Sequence, residues 1–247
     1  MENFNMVKQG EGILMKLKGI ALIILLALSG MPLGAQTGNQ ELTVEDIYLN
    51  STVEVQIVRA LAQESSRKDK ERALNILSRM IDENKVTEGS VDVIFILEEL
   101  SGEGVAKEVR INRALANDYS EVRRKSAELL GQVGGKRAVE TLITMTLKDP
   151  EPTVVAEAIY SLGLLGGDDT GEAEKVIAHV MRIYNMTTRI DNNLAFAAIS
   201  AIEKIGKTKS GRIRPELFSI LTQIQNSNYI RAVKKKAERV LDEMRTY

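Results

Sequence analysis

The 247-residue sequence contains no cysteine, no tryptophan and only one histidine. Without cysteine the chain cannot form disulfides, bind a metal through thiolates or use a cysteine nucleophile. A zinc site would have to be built from carboxylates, although zinc prefers nitrogen and sulfur ligands. Aromatic residues make up only 4% of the chain, which disfavours a β-sandwich, because strands are enriched in aromatic and β-branched residues. We therefore expect no cofactor, no metal site and no catalytic centre.

The charge balance is almost neutral. The net charge is −1, while 44% of the residues are hydrophobic and 27% are charged. A chain of this length and composition can bury a core and is not disordered by composition. A neutral chain has no general attraction to nucleic acid, and we expect no nucleic-acid partner.

The amino-terminal region has the pattern of an export signal. Lys16 and Lys18 precede an apolar stretch, 19–28, and helix-breaking residues then lead to a predicted cleavage site after Ala35. This apolar stretch is shorter than the roughly 20 residues that a membrane span needs. We predict an exported protein, periplasmic or secreted, without a membrane span after cleavage. An inner-membrane signal anchor is the alternative.

Translation is predicted to start at Met15. Glu2 and Glu11 are acidic and fit no region of a signal peptide, whereas Met15 directly precedes the basic region. The predicted organisation is an upstream extension at 1–14, a signal peptide at 15–35, a linker at 36–48 and a repeat array at 49–247.

From Asn117 onward the sequence repeats itself. Residues 121–135 return as 153–167, and a third copy follows at 193–206. Repeats of this length with helical spacing predict stacked helix pairs. We expect first helices near 51–64, 88–101, 118–131, 149–163 and 191–205, second helices near 66–83, 104–116, 136–148, 172–189 and 212–225, and a closing helix near 229–245.

The fold class predicted from this pattern is all-α, an α-solenoid of about five stacked helix pairs plus a closing helix. Gly134-Gly135 and Gly166-Gly167 are expected to end helices, because glycine tolerates the left-handed conformation found after many helix ends. Small residues such as Ala158 are expected to let neighbouring helices approach closely.

The first copy of the repeat carries Val122-Arg123, Ala127, Leu130-Gly131, Val133-Gly134, Ala138 and Leu142. With these residues it resembles the HEAT-repeat family, particularly the short bacterial HEAT-like repeats that also occur in phycobilisome lyases. The second copy has Val155 where the family prefers arginine, and the third has Ala195 there. The resemblance covers 117–206 and implies an α-solenoid used for protein–protein contact, with the second helices on its concave side. It is specific for fold and nearly silent about activity.

Charge separates the two sets of predicted helices. The first helices sum to −9 and the second helices to +7. In a HEAT array this split predicts a basic concave surface that binds an acidic protein; the alternative is that the chosen helix boundaries produce the split. The candidate protein-binding residues are Arg110, Arg113, Lys136, Arg137, Lys175, His179 and Arg182.

Two further features each allow two interpretations. His179 lies off the apolar stripe of its helix, which favours a solvated side chain over a binding contact. Asp168, Asp169 and Glu172 could bind a cation, but their position at a helix start favours capping of free N–H groups.

The sequence thus predicts a non-enzymatic, exported scaffold or adaptor that binds a protein on the concave face of the solenoid. The alternative is a lyase-like accessory protein that holds a small molecule or prosthetic group in the groove. Such a groove calls for aromatic residues, and the predicted second helices offer Tyr184 and Phe218.

Overall fold

A computed structural model describes residues 52–186 and 190–246. The predicted start site, signal peptide and linker lie outside the described residues. The described elements are helices α1 (Val53–Gln63), α2 (Arg67–Asp82), α3 (Val91–Ser101), α4 (Ser120–Val133), α5 (Lys136–Lys148), α6 (Pro152–Leu164), α7 (Glu172–Met186), α8 (Asn192–Thr208), α9 (Pro215–Asn226) and α10 (Arg231–Arg245), with strands β1 (Arg110–Ile111) and β2 (Ala114–Leu115) between α3 and α4.

The helices stack in two rows, which confirms the all-α solenoid. The first row is α1, α3, α4, α6, α8 and α10, each packed against the next. The second row contains α2, α5, α7 and α9; α5 packs against α7 and α7 against α9, whereas α2 packs against α4 of the first row. The closing helix α10 therefore acts as a sixth member of the first row.

Local sequence explains where several helices begin. Pro152 and Pro215 occupy the first turn of α6 and α9, where a missing N–H costs nothing. The Asp191 carboxylate accepts hydrogen bonds from the backbone N–H groups of Asn193 and Leu194 at the start of α8, both at 2.9 Å. This contact satisfies donors that the helix itself leaves free.

The core is aliphatic, and small residues bring the first-row helices close together. Ala158 is fully buried, as the repeat pattern predicts. A Cβ on Gly163 would lie 2.4 Å from the Cα of Ala201 on the next first-row helix. Since backbone cannot move aside easily, this position of α6 accepts only glycine without displacing α8.

The paired glycines end helices as predicted. Gly134 and Gly166 have φ of +75° and +78°, in the left-handed region that glycine enters without penalty. Gly206, their counterpart in the third copy, lies inside α8, which continues to Thr208. It packs against Met244 of α10, so its role is close helix packing.

The predicted second helix at 104–116 is wrong. Residues 103–117 form a loop and a two-stranded antiparallel hairpin in which Arg110 pairs with Leu115 and Ile111 with Ala114. Asn112 and Arg113 connect the strands with φ of +49° and +68°. Positive φ at both central residues is the geometry of a tight hairpin turn, and it is incompatible with a right-handed helix.

The other ten predicted helices are present in the described ranges, with bounds that differ by a few residues. Among the described helices, none has both the length and the apolar character that a membrane crossing requires.

Candidate binding surface

Three of the predicted binding residues form an exposed row on α7. Lys175, His179 and Arg182 follow one another at intervals of four and three residues, which places them on one helix face. All three side chains are exposed. The solvated interpretation of His179 therefore agrees with its position.

Lys136 lies at the start of α5, and its charge is opposed by acidic neighbours. It forms a wide ion pair with Glu140, 3.9 Å from ammonium nitrogen to carboxylate oxygen. Together with Glu140 it lines a cleft of about 500 Å³ whose other side includes Asp168 and Asp169. The surface between α5 and α7 is thus of mixed charge.

Arg137 is held within the protein by two partners on α3. Its guanidinium lies 3.8 Å from the centroid of the Phe95 ring and 2.8 Å from the Glu98 carboxylate. Stacking and ion pairing together fix the orientation of this planar side chain. Arg137 therefore bridges α5 to α3.

Arg110 and Arg113 do not belong to the second-helix row, contrary to the sequence-based prediction. Both are exposed on the hairpin. The Arg110 guanidinium pairs with Glu108 at 2.8 Å and donates to the carbonyl of Arg113 at 3.3 Å. Their place was mistaken because the hairpin occupies the stretch that apolar spacing had assigned to a helix.

The predicted difference in net charge between first and second helices is also smaller when the observed helix bounds are used. With the observed bounds, α1, α3, α4, α6 and α8 carry 0, −3, +1, −1 and +1, and α2, α5, α7 and α9 carry +2, +2, 0 and −1. The totals become −2 and +3. Much of the predicted acidity came from residues in the connecting segments, among them Glu88, Asp118, Asp149 and Asp191.

Asp168 caps α7, as its position in the sequence indicates. Its carboxylate accepts hydrogen bonds from the backbone N–H of Ala173 at 2.7 Å and of Glu172 at 3.2 Å, and from Thr170. Partial burial opposes ionisation, but these hydrogen bonds outweigh it and lower the pKa of Asp168. Within the described residues, no group of three or more His, Asp or Glu side chains is placed to hold a metal ion.

The missing second helix leaves a recess between α3 and α5, which we call the notch. It consists of two adjoining clefts of about 360 and 400 Å³ that share Glu98 and Arg137. Its lining combines apolar or small residues with charged side chains, and the Arg137–Glu98 ion pair belongs to both clefts. The apolar or small residues include Phe95, Ile96, Val105, Ala106, Thr144 and Met145; the charged residues are Arg59, Glu98, Glu99, Arg137, Glu140, Lys148 and Asp149.

A buried ionic cluster fixes the loop that borders the notch. The Lys70 ammonium on α2 lies 2.8 Å from the Glu103 carboxylate, and both side chains are almost fully buried. Glu103 also accepts a hydrogen bond from the Asn117 amide at 2.9 Å. Asn117 in turn donates to the carbonyl of Lys107 and accepts from the N–H of Val109. The side-chain amide of Asn117 therefore links three points of this loop, namely the Glu103 carboxylate, the Lys107 carbonyl and the Val109 N–H.

Arg123 attaches the same loop to the following repeat. This fully buried guanidinium makes a two-point contact with the Asp149 carboxylate, at 2.7 and 3.2 Å. It also donates to the carbonyl of Glu103 at 3.0 Å and to Asp118 at 2.9 Å. Burial opposes the charge of Arg123, but the hydrogen bonds to Asp149 and Asp118 outweigh it and raise its pKa.

Sequence reasoning did not identify the notch, because a residue pattern does not show that one helix of an array is absent. Signals were nevertheless present. Gly102 and Gly104 both follow the end of α3, and Gly104 has φ of +75° with no room for a Cβ beside the carbonyl of Asn117. Asn112, a residue that tolerates positive φ, marks the hairpin turn.

Comparisons with known proteins agree with this architecture. Residues 107–189 match the family model of HEAT repeats. The fold is similar to a chain of the complex of CpcE and CpcF of phycocyanin lyase from Nostoc sp. PCC7120, with a TM-score of 0.55 and 19% identity over 80% of this chain and 67% of that chain. At this identity the likeness concerns the fold alone. A search of curated proteins found no match. Residues 107–189 thus match HEAT repeats, and the part of the chain that the structure describes has the fold of a HEAT-like solenoid.

Proposed function

We propose that this protein is an exported, non-catalytic scaffold that binds another protein in the notch. The observation that carries the proposal is the gap in the second-helix row, where the half-buried Phe95 and Val105 and the exposed Ala106 lie beside charged side chains. Aromatic residues and arginine are enriched in protein interfaces, and Phe95 and Arg137 line the notch.

The shape of the solenoid supports a binding role. Each repeat contacts only its neighbours, so an array offers a long surface that accommodates an extended partner. The structural relative from Nostoc is itself part of a two-protein complex. A partner seated in the notch would lie against the side chains of Val105, Ala106 and Met145, which line it.

The charges suggest what the partner presents. Around the notch, Arg137 and Lys148 are offset by Glu98 and Glu140, so residues of both signs are expected there. Beyond α5, the exposed Lys175, His179 and Arg182 favour acidic residues on a partner that extends along the second-helix row.

Export is part of the proposal. It rests on the basic Lys16 and Lys18, the apolar stretch 19–28 and the predicted cleavage site after Ala35. It places the partner in the periplasm or outside the cell.

Site-specific photo-crosslinking in intact cells tests the binding site. A photoreactive amino acid would replace Thr144 or Ala106 in the notch, and Glu238, an exposed residue of α10, would be the matched control position. We expect both notch positions to yield the same discrete crosslinked protein, and Glu238 not to yield it. Identical products from all three positions, or a product from Glu238 alone, would contradict the proposal.

A lyase-like accessory role is the second candidate. The two clefts of about 360 and 400 Å³ fall within the range of small-molecule sites, about 300–1,000 Å³, and the Phe95 ring lies in the second cleft. Native mass spectrometry of the purified protein would reveal a bound prosthetic group as added mass. If this added mass were absent from a Thr144→Trp variant, the result would favour the lyase-like role over a protein partner in the notch.

A further inference from the structure

The first-helix row carries a groove of its own, between α6 and α8. The groove has a volume of about 330 Å³. The small side chains of Ala156 and Ala197 line it, together with the aromatic rings of Tyr160 and Phe196. It lies on the row opposite to α5 and α7, and it shares no lining residue with the notch.

Two aromatic residues that line this groove are partly exposed to solvent. The side chains of Tyr160 and Phe196 are 36% and 48% exposed, and Leu164, one helical turn beyond Tyr160, is 45% exposed. Scattered exposed apolar residues are normal, but a contiguous set on neighbouring helices indicates an interaction surface. Aromatic anchors of this kind dominate the binding energy of many interfaces.

Lysine ammonium groups lie over both rings. The Nζ of Lys204 is 5.4 Å from the centroid of Tyr160, and the Nζ of Lys236 is 4.5 Å from the centroid of Phe196. These cation–π contacts orient the aromatic rings. They also place two positive charges directly beside the apolar surface.

The local charge is positive on this side of the groove. Glu203 pairs with Lys207, Lys236 and Arg239 at 3.0–3.3 Å, so a single carboxylate faces three cations. Glu243 offsets part of this excess through Lys207 and Arg239. Together with Lys204, these six residues carry a net charge of +2.

The other side of the groove carries the carboxylate of Glu157. Glu157 lies next to α4, where Arg124 approaches it at 3.5 Å. Burial and the nearby Glu128 raise the pKa of Glu157. A further carboxylate on this side would face Glu157, whereas one on the lysine side would face Lys204 and Lys236.

We propose that this first-helix groove binds an amphipathic helix of a second protein, with acidic residues directed toward Lys204 and Lys236. A helix suits the site because side chains pack into the groove between two adjacent helices in this way, with axes about 8–10 Å apart. Leu164, Tyr160 and Phe196 receive its apolar face. The proposal is independent of the partner in the notch, and the two sites together make the protein a bivalent adaptor.

Synthetic peptides test the proposal without knowledge of the natural partner. Three dye-labelled amphipathic helices of roughly 18 residues, about five turns, would share one leucine face and differ only in a polar face of Glu, Gln or Lys. Fluorescence anisotropy with the full chain should show the Glu peptide binding at least about tenfold more tightly than the Lys peptide, since opposite charges across an interface favour the matched partner.

Two double variants test whether the Glu peptide binds in the groove. Tyr160→Ser/Phe196→Ser should weaken binding of the Glu peptide by about tenfold or more, as loss of aromatic anchors does. Lys204→Glu/Lys236→Glu should reverse the preference between the Glu and Lys peptides. The matched control is Ile183→Ser/Met186→Ser, which removes two exposed apolar side chains of α7 and should leave the affinity unchanged. Ala197→Arg, which obstructs the groove and keeps both rings, is the second test if the serine variant fails to fold.

Two results would overturn the proposal. One is equal binding of all three peptides, or binding that the groove variants do not alter. The other is self-association of the full chain in analytical ultracentrifugation that Tyr160→Ser/Phe196→Ser abolishes while no peptide binds, which would make the groove an interface between copies. Crosslinking from Thr144 in the notch should survive all groove variants, so failure of one site is distinguishable from failure of the other.

Discussion

At the scale of single residues, a buried charge fixes the geometry beside the notch. The Lys70 ammonium is buried. It donates a hydrogen bond to the carbonyl of Ala62 at 2.6 Å and pairs with the Glu103 carboxylate at 2.8 Å. Burying two charges is costly, and a buried pair contributes little net stability compared with a hydrophobic pair. Because Glu103 also binds Asn117, we interpret the pair as fixing one conformation of the loop.

Removing one partner of this pair should be far more damaging than removing one partner of an exposed pair. Lys70→Met would leave the buried Glu103 carboxylate with the Asn117 amide and the more distant Lys107 ammonium, at 3.9 Å, as its partners. We expect the free energy of unfolding to fall by about 3–5 kcal/mol. The measurement is urea denaturation followed by circular dichroism at neutral pH.

The control is Arg67→Met on the same helix. Arg67 pairs with Glu71 at 2.7 Å, but both side chains are exposed to solvent. Its loss should cost less than about 1 kcal/mol. If both variants lowered the free energy of unfolding by similar amounts, burial of the Lys70–Glu103 pair would have no specific effect on stability.

At the scale of elements, Glu203 joins the last two helices of the first row. It lies on α8 and pairs with Lys236 and Arg239 of α10. Partial burial opposes its ionisation, but hydrogen bonds from Lys207, Arg239 and Lys236 outweigh burial and lower its pKa to about 2. The packing of α10 is therefore coupled to the ionisation of this carboxylate.

This coupling predicts a pH-dependent stability. Because the folded pKa of about 2 lies below the usual value of 4.5, the stabilisation is complete above about pH 5 and is lost as the pH falls toward 2. Glu203→Gln should lower the free energy of unfolding by about 1–2 kcal/mol at pH 7, after allowance for solvent screening of partly exposed pairs. The difference from the unaltered protein should disappear near pH 2–3 in denaturation curves recorded across this range. Glu238→Gln, at an exposed position of α10, is the control, and an equal loss with Glu238→Gln would refute a specific role for Glu203.

The helices were predictable because their information is local. Val122, Ala127 and Leu130 recur one repeat later as Val154, Ile159 and Leu162, all buried, and helical spacing alone assigns them to a core face. Helix ends were predictable at Gly134 and Gly166 for the same reason. Inside the hairpin the same rule failed, because Val105 and Val109 are spaced as in a helix while Asn112 and Arg113 adopt positive φ.

The candidate site was less predictable than the fold. The exposed row of α7 could be found from spacing, since Lys175 and Arg182 lie off the apolar stripe. Whether a basic residue is available for binding depends on contacts between distant parts of the chain. Arg137 illustrates this, because Phe95 and Glu98, which engage it, precede it by about 40 residues.

At the scale of the whole molecule, the second-helix row is interrupted once in the described array. In a solenoid, stability is the sum of the repeats and of the interfaces between neighbours. Where the second helix is absent, α1, α2 and α3 remain attached to the following repeats through α4, through the contact of α3 with α5 and through the ionic cluster of Lys70, Glu103 and Arg123. The segment 102–119 is therefore expected to be the weakest junction of the array.

Hydrogen exchange measured by mass spectrometry tests this junction. We expect backbone amides of α1–α3 to open at a lower free energy than those of α6 and α8, because fewer packed helices hold them. Lys70→Met should accelerate exchange in α1–α3 and leave α6 and α8 unchanged. Glu203→Gln is the matched variant at the opposite end, and it should accelerate exchange in α10 while α1–α3 keep their protection. If both variants instead raised exchange evenly along the chain, the array would unfold as one cooperative unit, and the gap beside the notch would not divide it.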